Sequence, residues 1–454
     1  MIASDKEVTQ LASWPERVRI EALKRIVPPK KIQEILQQSG VEATRCLRLP
    51  AWFAVWFVIA LGLFGRDSYR QVFRWLAPYR KGGTPGRSTL CESRHRLGAA
   101  LLRRLYEAVV VLLGEPDTPG AFYGGLRLMA IDGFVVDLPD TGQNERAFGR
   151  PSTDRASGAF PQARVLSLCE TGSHVLWRSL IKPYHRGEIT MAHYLLRFLE
   201  KDMLLLWDRN FFSYATLMQV RSRQAPLLAR IKNNLVFKPL EQLVDGSYLA
   251  KAYRSTKDRR HDRDGILVRI IDYTFDDENR SGSGEKHRLL TTLLNADAHP
   301  AETLIELYHE RWEEELAIDE LKTHQRERPV LRSQTPAGVV QELYGLLIGH
   351  FVIRTLMQQA AAESDLDPQR LSFTNTLKIL RCRLPECPRS ERGRRRWHQN
   401  LLAEIAEEVL EPRRNRINPR VIKKKMSDWP KKRPEHRPYS QPSKEFREAI
   451  RVLN

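Results

Sequence analysis

One predicted helix carries four side chains whose types suit the handling of a phosphate group beside a metal ion. The charged segment 301–325 has a strongly helical composition and contains Tyr308, Arg311, Glu315 and Lys322. At about 100° per residue, an unbroken α-helix places these four within roughly 60° of arc. The cations could neutralise a phosphodiester while the carboxylate held the metal. The stripe therefore predicts a surface that binds phosphate and metal together.

A solvated helix with ordinary acid–base pairs is the alternative interpretation of the same segment. The segment has further acids, and these keep that alternative open: Glu310, Glu313, Glu314 and Asp319. Only Asp319 comes close to the stripe in angle.

Two aspartates upstream favour the functional interpretation. Asp132 lies inside a strand-like apolar run, and Asp208 ends a second one. Acids at such positions are costly unless something compensates their charge, and a pair of divalent cations would do so. Such a pair activates a water or 3′-hydroxyl in phosphodiester cleavage. We therefore expect Asp132, Asp208 and Glu315 to converge on one sheet edge, with Asp137 and Asp202 as nearby rivals for the two aspartates.

The elements around these acids predict an α/β fold with a ribonuclease-H-like catalytic core. Three strand-length apolar runs after residue 126 are separated by turn residues, as in an antiparallel meander. A helix, a short buried strand ending in Asp208, a second helix and another strand follow. This order of strand, strand, strand, helix, strand, helix, strand is that of a ribonuclease-H-like core.

The rest of the chain divides around this core. Residues 1–125 read as short helices with basic faces, which predicts a helical N-terminal DNA-binding domain. The core occupies 126–232 and, with the catalytic helix, 287–380. Between the two parts, 233–286 is polar with alternating stretches and predicts a β-rich insertion. Residues 381–454 form a basic C-terminal tail for DNA contact or dimerisation.

Charge points to a polyanionic partner. Lys and Arg exceed Asp and Glu by 74 to 55, a net charge of +19, and nucleic acid is the commonest intracellular polyanion. Between Arg381 and Arg437 there are 18 basic and 8 acidic residues, so about half of the net charge lies there. Lys423 to Lys425 and Arg394 to Arg396 could contact phosphates or could simply be solvated.

Cysteine usage and hydropathy indicate a cytoplasmic protein. The five cysteines are odd in number and scattered, which fits a reducing compartment, and their spacing does not favour a zinc site. The N-terminus has no secretory pattern. The most apolar run, 51–64, is shorter than the roughly 20 residues that cross a bilayer, so it predicts a buried helix.

The sequence resembles the insertion-sequence-four family of bacterial DDE transposases. Tyr308, Arg311, Glu315 and Lys322 match the family's Y-(2)-R-(3)-E-(6)-K signature in every spacing. The residues around Asp132 and Asp208 are similar to the first and second aspartate motifs, including the arginine that follows the second, Arg209. The resemblance covers most of residues 45–350, with looser similarity at 418–433.

The resemblance implies a transposase that acts with Mg²⁺ on the inverted-repeat ends of an insertion sequence. Asp132, Asp208 and Glu315 would bind metal, two ions in all, with Mn²⁺ able to substitute. Tyr308, Arg311, Lys322 and Arg209 would bind DNA. The expected partners are double-stranded transposon ends and target DNA, with a homodimer in the DNA complex and no membrane. The insertion lacks a tryptophan, and whether cleavage passes through a hairpin stays open.

Two other functions remain open from the sequence. A catalytically inactive transposase remnant would bind the same ends without cutting them. A ribonuclease-H-like nuclease acting in repair would cut without end recognition, although the basic helical front favours specific recognition.

Overall fold

A computed structural model describes residues 23–41, 49–77, 83–153, 156–280, 282–309, 311–388, 390–411 and 442–453. The chain divides into two units. The first comprises Met1–Gly124, Ile131–Leu195 and Glu313–Leu410, and the second comprises Gly125–Ala130, Leu196–Trp312 and Glu411–Asn454.

The described helices follow one another along both units. They are α1 (Pro29–Gln38), α2 (Ala51–Leu63), α3 (Tyr69–Leu76), α4 (Arg87–Val109), α5 (Gly142–Phe148), α6 (Glu188–Leu195), α7 (Tyr214–Ser222), α8 (Thr256–Arg260), α9 (Ala301–His309), α10 (Trp312–Asp319), α11 (Pro336–Ser364), α12 (Phe373–Arg383) and α13 (Glu391–Ala406). A π-helix, Glu320–Gln325, continues directly from α10.

The described strands are mostly short. They are β1 (Phe122–Tyr123), β2 (Leu126–Asp137), β3 (Ser152–Thr153), β4 (Ala156–Ser157), β5 (Gln162–Glu170), β6 (Val175–Pro183), β7 (Met203–Trp207), β8 (Leu227–Arg230), β9 (Glu241–Gln242), β10 (Tyr248–Ala252), β11 (Ile266–Phe275), β12 (His287–Thr291) and β13 (Ile450–Leu453).

The first unit contains α1 to α4 in the region where the sequence predicts short helices. The apolar run becomes α2, which starts after Pro50 and is buried from Phe53 to Leu63. The prediction of a buried helix there is therefore confirmed. The Ser68 side chain caps α3 by accepting from the Gln71 N–H at 3.3 Å, which satisfies one backbone donor that a helix start leaves free. A kink at Gly98, with φ of 67°, divides α4.

Two glycines let α2 and α11 approach closely. A Cβ on Gly62 would lie 2.4 Å from the Gly345 carbonyl oxygen, and a Cβ on Gly345 would lie 2.7 Å from that of Val58. The Gln325 Nε2 donates to the Gly62 carbonyl at 3.0 Å and to the Leu346 carbonyl at 2.9 Å. The end of the π-helix is thereby fixed to this helix crossing.

Helix α11 has the length and apolar composition of a membrane span. In the most apolar window of Pro336–Ser364, 83% of the residues are buried inside the fold. Burial of this kind is also expected of the core helix of a protein that spans no membrane.

The strands of the first unit include two of the predicted core strands, β5 and β6. β5 and β6 pair antiparallel from Ala163 opposite Pro183 to Glu170 opposite Val175, and the second half of β2 lies beside β5. Gly133 is required in β2, because a Cβ there would lie 2.8 Å from the Val165 carbonyl oxygen.

The second unit continues from the first half of β2. That half pairs in parallel with β7, from Arg127 opposite Met203 to Ala130 opposite Leu206, and β7 pairs in parallel with β8. Antiparallel pairing then runs through β12, β11 and β10 to β9, and β13 also joins β11. All five residues of β7 are buried, as expected of a strand with both faces covered.

The predicted order of elements is confirmed by β2, β5, β6, α6, β7, α7 and β8. The sequence did not predict α5 or the β3–β4 pair between β2 and β5. Residues 233–286 contain β9, β10, α8 and β11.

Parts of the C-terminal region are structured. Arg394 to Arg396 lie in α13, whose Leu401, Leu402 and Ile405 are buried in the first unit. In the second unit, Asp277 accepts from the Ser443 N–H at 3.1 Å, next to β13. Lys423 to Lys425 and the similarity at 418–433 lie outside the described residues.

Candidate active site

The described part of segment 301–325 is not one continuous α-helix, so the prediction of an unbroken α-helix there is wrong. α9 ends at His309, α10 begins at Trp312, and the π-helix replaces the α-helix from Glu320. A π-helix advances by more residues per turn than an α-helix, so a constant 100° step does not hold. The angular stripe therefore loses its geometric basis, while the signature spacing remains a property of the sequence.

Aromatic rings surround His309, the last residue of α9. His309 packs against Phe446, with ring centroids 4.5 Å apart, and against Phe275 at 5.7 Å. These contacts fix the end of α9 within the second unit. Tyr308 and Arg311 accordingly belong to the second unit, and Glu315 and Lys322 to the first.

Asp208 follows β7 directly in the second unit. Its side chain is half-buried, whereas that of Arg209 is exposed. The Asp208 carbonyl accepts from the Phe211 N–H at 3.1 Å, and the Phe211 ring packs on that of Trp207 at 5.5 Å. A tight turn anchored by two aromatic rings therefore holds the aspartate at the carboxyl end of the strand.

Tyr308 and Arg311 form a buried pair in the second unit. They are 3% and 7% exposed, and the Arg311 guanidinium lies 5.9 Å from the centre of the Tyr308 ring. Burial raises the pKa of Tyr308 to about 12, while Arg311 opposes this shift and Asp208 adds to it. The structure thus brings Asp208, Tyr308 and Arg311 into one electrostatic environment, in which the phenol stays protonated at neutral pH.

Asp132 lies in the part of β2 that belongs to the first unit. Its side chain is half-buried, and its Oδ1 accepts from the Gly133 N–H at 2.7 Å. The rival Asp137, at the end of the same strand, accepts from the Gln162 Nε2 at 2.8 Å. The other rival, Asp202, is exposed and precedes β7.

Burial distinguishes the acids around Glu315 in the first unit. Glu314 is fully buried and Glu320 is 8% exposed, whereas Glu315 and Asp319 are exposed. The Thr323 hydroxyl donates to Asp319 at 2.6 Å. Lys322, in the π-helix, is exposed as well. Glu315 and Lys322 are therefore accessible to a ligand from solvent.

The carboxylates suit a hard divalent cation by type. Asp132, Asp208 and Glu315 offer oxygen atoms only, which Mg²⁺ prefers. Within the described ranges, no group of three or more His, Cys, Asp or Glu side chains is gathered closely enough to hold an ion. Support for a metal centre therefore comes from donor chemistry and strand register.

Strand register relates the two aspartates. Ala130 on β2 pairs with Leu206 on β7 in the second unit. Asp132 and Asp208 each lie two residues beyond that pair along their own chain segments. Asp208 therefore lies just beyond the carboxyl end of β7, whereas Asp132 lies within β2, which continues to Asp137.

One polar network near Glu315 was not predicted from the sequence. His174, in the turn between β5 and β6, contacts Glu313 and Glu320. Nothing in the spacing of a single histidine within a turn indicates such a role. Only the fold, which places this turn against α10 within the first unit, identifies it.

Comparisons with known proteins agree with this arrangement of elements. A family model described as the insertion element 4 transposase N-terminal domain matches residues 17–107, and one described as the transposase DDE domain matches residues 123–352, about half of the chain. The chain belongs to the insertion-sequence-four family of DDE transposases. This transposase has a mixed α/β fold, with a ribonuclease-H-like DDE domain and a helical N-terminal domain.

Two curated relatives are transposases of Escherichia coli strain K12. The transposase InsG of insertion sequence element IS4 is 27% identical over 412 residues, which cover 88% of this chain and 91% of the relative. The putative transposase InsZ is 27% identical over 202 residues, which cover 43% of this chain and 66% of the relative.

A similar solved structure is that of the piggyBac transposase, determined by cryo-electron microscopy as a synaptic complex with hairpin DNA. It matches with a TM-score of 0.43 and 12% identity, over 84% of this chain and 85% of that chain. A likeness at this level carries no argument of its own.

Proposed function

We propose that this transposase binds the inverted-repeat ends of an insertion sequence, cleaves them by metal-dependent phosphodiester hydrolysis and joins the freed 3′-hydroxyl ends to target DNA. The single observation that carries the proposal is the strand register, in which Asp132 and Asp208 follow the paired residues Ala130 and Leu206. The carboxyl end of a parallel strand, such as the end of β7 that Asp208 follows, is a common support for the residues of an active site.

Asp132, Asp208 and Glu315 would hold two Mg²⁺ ions, for which Mn²⁺ could substitute. The half-burial of the two aspartates would strengthen their attraction for a cation. Bound ions would supply activation of the attacking water or 3′-hydroxyl and stabilisation of the leaving oxygen. The exposure of Glu315 leaves its carboxylate accessible.

The remaining signature residues would hold the DNA. Arg209 and Lys322 are exposed cations that can bind phosphate directly. Arg311 is buried against Tyr308, and this contact restricts the orientation of its guanidinium. A restricted guanidinium loses less conformational freedom when it binds a phosphate.

The helical front is proposed to recognise the DNA ends. α3 exposes Arg70 and Arg74, and α4 exposes Arg87 at its start. Together with the net charge of +19, these side chains support binding to a DNA backbone. Two ends must meet during transposition, so we propose a homodimer in the DNA complex, acting in the cytoplasm at the nucleoid.

Cleavage of the element's own ends tests the proposal. The full chain is incubated with duplexes that end in the inverted repeats flanking its gene, and with random duplexes of equal length. We expect nicking at the repeat ends with Mg²⁺, no cleavage with EDTA, and no cleavage by Glu315→Gln, which keeps the side-chain shape but removes the charge.

Three results would contradict parts of this proposal. Equal rates on random DNA would indicate a general nuclease, and end binding without cleavage in Mg²⁺ or Mn²⁺ would indicate an inactive remnant. Undiminished cleavage by Glu315→Gln would remove Glu315 from the site. In the genome, short inverted repeats bounded by a small direct repeat are expected around the gene.

A further inference from the structure

A buried polar network in the first unit contacts α10, the helix that carries Glu315, and the π-helix that follows it. His174 is fully buried. Its Nε2 lies 2.8 Å from the Glu313 Oε2, and its Nδ1 lies 3.0 Å from the Glu320 Oε1. Glu313 and Glu320 lie two residues before and five residues after Glu315. One imidazole ring therefore contacts a residue that precedes the proposed metal ligand and a residue that follows it in the chain.

Glu320 is the fixed end of this network. The Arg354 Nε donates to its Oε2 at 2.9 Å, and the His350 Nε2 lies 3.1 Å from the same oxygen. Burial acts to raise the pKa of the Glu320 carboxyl, but Arg354 and His174 hold it well below its usual range. The carboxylate therefore remains charged and bound from three directions.

The turn that presents His174 is itself held rigidly. His174 has φ of 59°, which is uncommon for a residue other than glycine and persists only where the surroundings impose it. Gly172 has no room for a side chain, since a Cβ there would lie 2.4 Å from the backbone nitrogen of Ala121. The buried Glu170 accepts from the Gly114 N–H at 2.8 Å and from the Ser173 hydroxyl.

Contacts such as those of His174 stabilise the helical segment around Glu315. Helix α10 has eight residues and the π-helix that continues it has six, and a helix of this combined length is marginal in isolation, so its stability comes mainly from packing against the rest of the fold. The His174 Nδ1 faces both Glu320 and the Arg354 guanidinium, and its Nε2 faces Glu313. An imidazole N–H at Nε2 can donate to Glu313, a carboxylate two residues from Glu315.

We propose that His174 is a positioning residue for Glu315. Through Glu313 on one side and Glu320 on the other, it fixes the rotation of α10 and thus the direction in which the Glu315 carboxylate points. The proposal rests on the proposed function, in which Glu315 holds a divalent metal ion. Partners that orient a metal ligand indirectly commonly affect metal affinity when they are removed.

The test measures metal binding as well as activity. Mn²⁺ binding to the full chain on an end duplex is followed by electron paramagnetic resonance of the free ion, beside the Mg²⁺ dependence of cleavage. For His174→Ala, we expect half-saturation to require about 10-fold more metal, with unchanged end binding in EDTA. His174→Gln, whose amide can donate to Glu313, should recover most of the loss.

A matched control separates positioning from stability. His350→Ala removes another buried histidine from Glu320 but leaves the Glu313 contact intact. We expect it to lower the melting temperature without shifting half-saturation. Glu313→Ala removes the same contact from the more exposed partner and should reproduce the shift in half-saturation. It therefore tests the proposal even if His174→Ala folds poorly.

The outcomes distinguish this proposal from the proposed function. If Glu315→Gln leaves the Mn²⁺ stoichiometry unchanged, the proposed metal site is wrong. If Glu315→Gln reduces it while His174→Ala and Glu313→Ala bind metal as the wild type does, only the positioning role is wrong. An equal shift in His350→Ala would also overturn the positioning role, because it would assign the effect to general stability.

Discussion

Acid should destabilise the second unit through His309, and His309→Phe should remove that effect. The His309 ring packs on Phe275 and Phe446, and its Nε2 is buried with no hydrogen-bond partner, as is the Nε2 of His287. Burial, followed by the nearby charges of His287 and Arg230, lowers the pKa of His309 from 6.5 to about 3. A second proton on the ring, placed on Nε2, would have no acceptor.

The size of the effect follows from the two pKa values. Between pH 6.5 and 3 the unfolded chain takes up a proton at His309 that the folded protein does not, so stability is present above pH 6.5 and is lost as the pH falls. At pH 5, about 1.5 units below the unfolded value, the loss is about 2 kcal/mol. In a unit of this size, that lowers the melting temperature by about 4–8 °C.

Differential scanning calorimetry at pH 7.5 and pH 5 measures this difference. The comparison at pH 7.5 isolates any change in packing caused by the phenyl ring. Between the two pH values, the variant should lose about 2 kcal/mol less stability than the wild type. Equal pH dependence of the two proteins would refute the reasoning, as would a histidine NMR signal showing protonation of His309 above pH 5.

Three further perturbations test the fold and the tail. Gly62→Ala should destabilise the first unit by about 3 kcal/mol, since the new Cβ meets backbone. The control is Gly142→Ala, whose Cβ meets only the flexible tip of an arginine side chain. Urea unfolding measures both variants, and equal midpoints would contradict the close helix crossing. Asp277→Ala should release the segment around Ser443 at a cost of about 1–3 kcal/mol, seen as faster proteolysis there, and unchanged proteolysis would argue against this anchor. Changing Lys423 to Lys425 to glutamine should weaken end binding and flatten the slope of log K against log[salt] by about 0.9 per lost phosphate contact, whereas an unchanged slope would remove these lysines from the interface.

Local patterns predicted the elements that are buried or strongly periodic. The apolar run of α2 has the length of a buried helix, and the five apolar residues of β7 have the length of a short buried strand. The order of strands and helices then followed from their lengths. Asp208 could be placed because a carboxylate directly after a buried strand is rare without a reason.

Long-range contacts decided the features that the sequence did not predict. His309 at the end of α9 packs on Phe446, which lies more than 130 residues away. The π-helix ends where Gln325 binds carbonyls of α2 and α11. His174 acquires its role only because the β5–β6 turn meets α10. No local spacing encodes these contacts, so the stripe geometry was wrong although the signature spacing matched a family.

The central claim is that Asp132, Asp208 and Glu315 bind the catalytic metal ions, and a metal switch tests it most directly. Each is replaced in turn by cysteine, and end cleavage is measured in Mg²⁺ and in Mn²⁺, which accepts a thiolate ligand more readily. For all three variants, we expect loss of end cleavage in Mg²⁺ and partial recovery of end cleavage in Mn²⁺. Full cleavage activity of any of the three variants in Mg²⁺ would contradict the central claim. The same loss in Mg²⁺ and recovery in Mn²⁺ for a cysteine variant of Asp137 or Asp202 instead would also contradict it.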